Sequence, residues 1–164
     1  MADLRWLDGY SGETTDELLA LEGQCRTDSI VLAFEEAIQE KLARAGEDAL
    51  TEEERIVLAV EALEREVNNG GYRQFFVNSS RHFAPLIVPA LGRIGCARTA
   101  AITGRAIEAL HLPSLTVEAI EAATAAGQGR ETLEECDSAY YAAGEDLAGR
   151  LLAFIRTHRD AIVL

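Results

Sequence analysis

The sequence predicts an all-α protein that folds as a single compact multi-helix domain. Three observations predict this fold class: apolar residues recur at helical spacing in successive segments, no segment alternates apolar and polar residues for long, and the chain has only three prolines. A length of 164 residues is enough for one domain with a sizeable core. We place a looser tail at residues 1–13 and the helical domain at residues 14–164.

The first half of the chain contains three predicted helices, over about residues 14–22, 28–45 and 52–69. Their predicted N-terminal caps are Thr14 or Thr15, Asp28 and Thr51. Glu54 follows Thr51 by three residues, which is the capping-box pattern. The helix at 28–45 should end at Gly46, because glycine readily adopts the conformations found after a helix.

The second half contains six predicted helices, over about residues 72–78, 84–94, 97–110, 116–126, 131–143 and 145–158. Pro85 falls in the first turn of its helix, where the missing N–H costs little. Pro89 should either kink that helix or mark its true start. In the helix at 97–110 we expect Ile102, Ala106 and Ile107 to point inward.

The junction at residues 66–80 is the most informative stretch of the sequence. Its Asn-Asn-Gly-Gly run should end one helix, because a glycine pair permits positive φ angles. The aromatic residues that follow should return the chain to the core. The polar side chains among them require hydrogen-bond partners if they are buried too. Alternatively, a polar pocket could bind a small ligand through Asn68, Asn69, Gln74 and Asn78, with Arg81 and His82.

The net charge of −13 is unevenly distributed along the chain. Residues 1–66 have a net charge of −12, residues 67–115 of +4 and residues 116–164 of −5. Direct binding to nucleic acid is disfavoured, because the phosphates would be repelled. A basic protein surface is a suitable partner, although the acids could also serve only solubility.

Four carboxylates share one flank of the helix at 52–69: Glu53, Glu54, Glu61 and Glu64. At 1.5 Å per residue they span roughly 16 Å along the helix axis. This spacing is comparable with that of phosphates along a nucleic-acid strand. The acidic surface could be extended by further residues, namely Glu35, Glu36, Glu40, Glu47 and Asp48. The alternative interpretation is an ordinary solvated helix face.

Other classes of site find little support in the sequence. The three histidines form no metal-binding pair, no phosphate-binding loop is present, and no nucleophile stands beside a base. We therefore expect neither a metal, a cofactor nor enzyme activity. Three widely spaced cysteines argue against a disulfide framework, and neither a signal peptide nor a membrane-spanning run is evident, which favours the cytoplasm.

One signature in the junction resembles that of a bacterial family of helical proteins, a member of which is described as an acidic DNA mimic. The matching residues are Asn69, Gly70, Gly71, Tyr72, Gln74, Phe75, Phe76, Asn78 and Ser79. The resemblance covers about residues 28–160. It implies a compact helical fold, a homodimer, and an acidic surface that occupies the DNA-binding face of a transcriptional repressor.

The function we expect is binding to a basic DNA-binding protein, with the acidic surface acting as a DNA mimic. Two alternatives remain at this stage. One is an interaction module of the immunity or regulatory type, in which the acids only solubilise the protein. The other is a small-ligand binder that uses the polar cluster near residues 68–82.

Overall fold

The computed structural model describes residues 3–164, and within them the chain forms eight α-helices, three short 3-10 helices and no β-strand. The predicted all-α class is confirmed. Met1 and Ala2, which belong to the predicted tail, lie outside the described residues. The α-helices are α1 (Thr15–Leu19), α2 (Thr27–Ala45), α3 (Glu52–Val77), α4 (Ala84–Arg93), α5 (Ala97–Glu108), α6 (Val117–Ala125), α7 (Arg130–Ala142) and α8 (Leu147–Thr157). The 3-10 helices cover Glu47–Ala49, Ser79–Phe83 and Arg159–Ala161.

Capping residues set the starts of several helices. The capping box of α3 is confirmed: the Glu54 N–H donates to Thr51 Oγ1 at 3.1 Å, and the Thr51 N–H donates to Glu54 Oε2 at 3.0 Å. Thr14 forms the same arrangement at the start of α1. The prediction that Asp28 caps α2 is wrong, because α2 already begins at Thr27.

The chain divides into two compact units, which are residues 1–61 with 146–164 (unit 1) and residues 62–145 (unit 2). In unit 1, α1 and α8 both pack on α2. Its buried side chains include Phe34, Ile38, Ile56, Leu151 and Ile155.

The N-terminal segment of unit 1 has no helix within residues 3–13, yet its backbone is held against α2. The Leu7 N–H donates to Ser29 Oγ at 3.1 Å, and the Tyr10 N–H donates to Glu36 Oε2 at 2.7 Å. These hydrogen bonds give the segment a defined path despite its lack of regular structure.

In unit 2, α5 packs against both α4 and α7. The sequence placed Ile102 and Ile107 on the buried face of α5, but both are partly exposed, and Thr99 and Thr103 are buried beside Ala106. Both threonine hydroxyls have partners: Thr103 Oγ1 lies 2.8 Å from the Tyr72 hydroxyl, and Thr99 Oγ1 donates to Glu145 Oε2 at 2.7 Å. Hydrogen bonding therefore allows the polar face to be buried.

The two prolines of α4 do not prevent a continuous helix. Pro85 lies in the first turn, as the sequence predicted, and α4 continues through Pro89 to Arg93. Within residues 3–164, no helix combines the length and apolar character that crossing a membrane requires. Cys25, Cys96 and Cys136 are buried, and none of the three forms a disulfide.

Glu54 is a fully buried acid of unit 1. Its carboxylate accepts two hydrogen bonds from Lys41 Nζ, at 2.8 and 3.0 Å, and one from the Val163 N–H at 3.0 Å. Together with the Thr51 N–H, these donors compensate for the loss of hydration. The C-terminal segment is thereby joined to the start of α3.

We expect Glu54→Ala to lower the free energy of unfolding by about 3 kcal/mol, because it breaks a buried ion pair and removes half of a capping box. Glu40→Ala is the matched control: Glu40 is exposed on α2, and its loss should change stability by about 0.5 kcal/mol or less. Urea denaturation followed by circular dichroism measures both. Equal effects of the two substitutions would contradict the structural role of Glu54.

Candidate functional site

Part of the predicted acidic face is buried. Glu54, Glu61 and Glu35 have exposed fractions of 0%, 5% and 6%, so these three cannot present charge at the surface, contrary to the prediction. The sequence predicted a solvated flank on this helix. Residues 56–63 are instead buried on every side of α3, so no solvated flank exists there. Periodicity alone could not show this, because it identifies one apolar face of a helix and not a segment that is buried all round.

The other predicted acids remain accessible. Glu36, Glu40, Glu47 and Asp48 are exposed, whereas Glu53 and Glu64 are partly exposed. Glu36 accepts the Tyr10 N–H, so its carboxylate also fixes the N-terminal segment. Its role is therefore at least partly structural.

A group of acids surrounds the connection from α2 to α3, and we call it the acidic corner. It comprises Glu40, Glu47, Asp48, Glu52 and Glu53. The sequence-based prediction omitted Glu52, although its place in the first turn of α3 is a signal for a solvent-facing acid that the helix dipole favours. All five lie within fourteen consecutive residues.

Basic side chains dilute the acidic corner without cancelling it. Arg44 is exposed in the last turn of α2, and Arg55 is partly buried, where its Nη2 donates to the Glu47 carbonyl at 2.9 Å. Lys41 is engaged by Glu54 and does not neutralise the corner. Five acids and these two arginines leave a local net charge of −3.

The division of charge between the units is unequal. Unit 1 contains 18 acidic and 8 basic residues, for a net charge of −10, whereas unit 2 contains 10 acidic and 7 basic residues, for a net charge of −3. Most of the excess negative charge therefore belongs to unit 1, which also contains the acidic corner.

The signature residues form a tightly packed break within α3. Gly71 has φ +78° and ψ −176°, a conformation that is accessible essentially only to glycine. A Cβ atom on Gly71 would lie 2.3 Å from Asp137 Oδ2, and one on Gly70 would lie 2.0 Å from Gln74 Oε1. A side chain at either position would therefore displace Gln74 or Asp137, and Gly71 requires glycine for its backbone geometry as well. The predicted end of a helix at this pair is confirmed.

The aromatic residues of the signature enter the core of unit 2, as the sequence predicted. Tyr72, Phe75 and Phe76 are fully buried, and the two phenylalanine rings contact edge to face, with centroids 5.4 Å apart. Burial, together with the nearby Cys136 and Asp137, raises the pKa of Tyr72 despite its hydrogen bond with Thr103. The tyrosine thus stays neutral.

Glu66 is a buried carboxylate that collects the polar side chains of the junction. It accepts hydrogen bonds from Gln74 Nε2 at 2.8 Å, Asn78 Nδ2 at 2.9 Å and Ser80 Oγ at 3.0 Å. Burial alone would raise the pKa of Glu66, but these three donors and the charge of Arg65 outweigh it and hold the pKa below its usual value. The carboxylate is thus kept ionised inside the protein.

The same hydrogen bonds bear on the ligand-binding alternative. Gln74 and Asn78 direct their amide donors at Glu66, and Arg81 pairs with Glu121 and also donates to the Val77 carbonyl at 2.5 Å. Asn68, Asn69 and Ser79 are exposed. Of the side chains predicted to line a ligand pocket, Gln74, Asn78 and Arg81 are therefore engaged by other groups of the protein.

Asp137 of α7 completes the break from the opposite side. Its Oδ1 accepts the Tyr72 N–H at 2.7 Å, the first amide after the glycine pair. Burial, with a contribution from Glu134, raises the pKa of Asp137 above its usual value, although the hydrogen bond from Tyr72 acts in the other direction. Across residues 3–164, no three His, Cys, Asp or Glu side chains form a group suited to holding a metal ion.

Comparison with known proteins places the chain in one family. A family model described as DMP19-like protein matches residues 48–158, which is more than half of the chain and includes the whole signature. No curated protein and no solved structure matches the sequence significantly.

We expect Gly71→Ala to lower the free energy of unfolding by about 3 kcal/mol, because the new methyl group would displace Asp137 and force the backbone into a strained conformation. Gly92→Ala is the control, since Gly92 is helical and no neighbouring atom lies within 4 Å of the position its Cβ would take. That substitution should be neutral or stabilise by up to about 1 kcal/mol. Thermal and urea denaturation distinguish the two, and a neutral Gly71→Ala would contradict the packing described for the break.

Glu66→Gln should cost about 2 kcal/mol at pH 7, because a neutral amide accepts fewer hydrogen bonds and faces three donors. The pKa of Glu66 is lower in the folded state than in the unfolded state, where it is about 4.5. The ionised carboxylate therefore contributes its full stability above pH 4.5, and this contribution is lost as the pH falls through the folded-state pKa. The difference from wild type should therefore shrink below pH 4.5. Urea titrations at about pH 7 and about pH 4 test this, with Glu118→Gln, on an exposed residue, as control. A difference that grows in acid would refute it.

Proposed function

Because the chain belongs to the DMP19-like protein family, we propose that it acts as a DNA mimic, presenting the acidic corner to a basic DNA-binding protein. The observation that carries this proposal is the concentration of accessible carboxylates around the connection from α2 to α3, within a unit of net charge −10. Membership in a family of DNA mimics is compatible with the role. The proposed activity is binding and not catalysis, in keeping with the character of that family.

The proposed mechanism is electrostatic competition for a surface that otherwise binds DNA phosphates. Exposed carboxylates attract such a surface over a distance of about 10 Å at 0.1 M salt, which accelerates association. Once bound, the acidic corner excludes DNA from the same positive side chains. Binding through a few exposed charges should be weakened by salt, as DNA binding itself is.

The fold provides rigid support for the acidic corner. Glu52 and Glu53 belong to the first turn of α3, whose start is fixed by the Thr51–Glu54 capping box and by Lys41. Arg55 holds the Glu47 carbonyl, which ties the 3-10 turn to α3. A backbone that is already fixed loses little conformational entropy when a partner binds.

We further propose that the protein acts as a homodimer in the cytoplasm. The family resemblance supports the dimer. The three cysteines, Cys25, Cys96 and Cys136, form no disulfide, which agrees with a reducing compartment. Sedimentation equilibrium at several concentrations measures the oligomeric state directly.

Neutralising the acidic corner should weaken partner binding by about tenfold or more, since several exposed ion pairs worth about 0.3–1 kcal/mol each are lost. The variant carries Glu40→Gln, Glu47→Gln, Asp48→Asn and Glu52→Gln. The partner is first captured from lysate on the wild-type protein at low salt, eluted with duplex DNA and identified. Its affinity for both proteins is then measured by calorimetry.

The matched control carries the same change in net charge on unit 2, through Glu108→Gln, Glu118→Gln, Glu131→Gln and Glu134→Gln, all at exposed positions. It should bind the partner as wild type does. Equal weakening by both variants would mean that net charge alone matters. Failure to capture any DNA-binding protein, or capture that DNA does not reverse, would reject mimicry and favour an interaction module of another kind.

A further inference from the structure

A cavity of about 250 Å³ in unit 2 is lined by positively charged side chains and by no negatively charged one. It is lined by residues 124–128 at the end of α6, by Arg130 and Leu133 of α7, and by Arg73. Arg73 and Arg130 are the only ionisable residues in this lining. A cavity whose only charged side chains are positive is unexpected in a protein with a net charge of −13.

Neither arginine is used to stabilise the fold. Among the residues that the structure describes, Arg73 and Arg130 form no side-chain hydrogen bond and no ion pair. Two guanidinium groups beside one cavity, with no carboxylate among the lining residues, create a positive potential that attracts an anion.

The backbone beside the cavity is suited to the same kind of ligand. α7 begins at Arg130 and has no side-chain cap, so the N–H groups of its first turn lack that partner. Gly129, with φ +69°, fixes the turn before α7, and a Cβ there would lie 2.4 Å from the Ala109 carbonyl oxygen. The positive end of the α7 dipole therefore adds to the field of the two arginines.

We propose that this cavity binds a small phosphomonoester. The phosphate would lie between Arg73 and Arg130, because each guanidinium can donate two parallel hydrogen bonds to phosphate oxygens. Phosphate suits this donor-rich site better than a carboxylate, since it presents three terminal oxygens and up to two charges. A volume slightly below the usual range for ligand pockets limits the organic group to a few atoms, which Ala125, Ala126 and Leu133 would contact.

The cavity uses a residue of the junction that has no structural role there. Arg73 lies between Tyr72 and Gln74, whose side chains are committed to the core and to Glu66, yet its own side chain is exposed. None of the lining residues belongs to the acidic corner. The phosphate site and the proposed mimicry can therefore be tested independently.

Isothermal titration calorimetry of the full chain, at constant ionic strength in chloride, tests the proposal with glycerol 3-phosphate, inorganic phosphate and glycerol. We expect saturable binding of glycerol 3-phosphate, weaker binding of inorganic phosphate and none of glycerol. Arg73→Ala and Arg130→Ala should each weaken binding about tenfold or more. Arg150→Ala, which removes an exposed arginine of unit 1, should leave the affinity unchanged.

Absence of saturable phosphate binding would overturn the proposal. So would equal weakening by Arg150→Ala, which would show a general effect of charge, or wild-type affinity in both cavity variants. Equal affinities for inorganic phosphate and glycerol 3-phosphate would reject the organic subsite and assign the cavity to free phosphate. Because Arg73 and Arg130 are exposed, thermal unfolding of the variants should match wild type, which excludes misfolding as the cause of lost binding.

Discussion

The junction depends on one physical requirement, which is that the buried carboxylate of Glu66 must be supplied with hydrogen-bond donors. Those donors come from Gln74, Asn78 and Ser80, all of which follow the break in α3. The chain must therefore turn sharply enough to bring residues after the break back to a residue before it. A continuous helix could not do this, because residues eight and twelve positions apart would lie about 12 and 18 Å apart along its axis.

The glycine pair lets the chain bring these donors back to Glu66 in two ways. It turns the backbone, and it leaves space for neighbouring side chains. Gln74 places its side-chain oxygen where a Cβ of Gly70 would be, while its nitrogen reaches Glu66. Asp137 likewise occupies the space beside Gly71 and accepts the next backbone amide, that of Tyr72. Most of the signature is thus explained by packing and hydrogen bonding within unit 2. The residues so explained are Gly70, Gly71, Tyr72, Gln74, Phe75, Phe76 and Asn78.

The sequence predicted where helices begin and end better than it predicted which of their faces are buried. Gly46, Thr51 and the Gly70–Gly71 pair act through local backbone chemistry, so the ends they mark could be read directly. Which faces are buried depends on packing by distant segments. The buried threonines of α5 show this, since Thr103 is tolerated only because Tyr72, thirty-one residues away, provides a hydroxyl partner. No local pattern contains that information.

Burial limits what the negative charge of this protein can do. Glu35, Glu54, Glu61 and Glu66 are buried, and the contacts made by Glu54 and Glu66 serve the fold. Only exposed acids can interact electrostatically with a partner. In the acidic corner, two arginines reduce the charge of five acids to a net −3. A mimic built on so few charges would gain association rate and salt sensitivity rather than high affinity from them. Tight binding would additionally require shape-matched contacts on the partner. The salt dependence of binding, and not affinity alone, therefore separates mimicry from ordinary association.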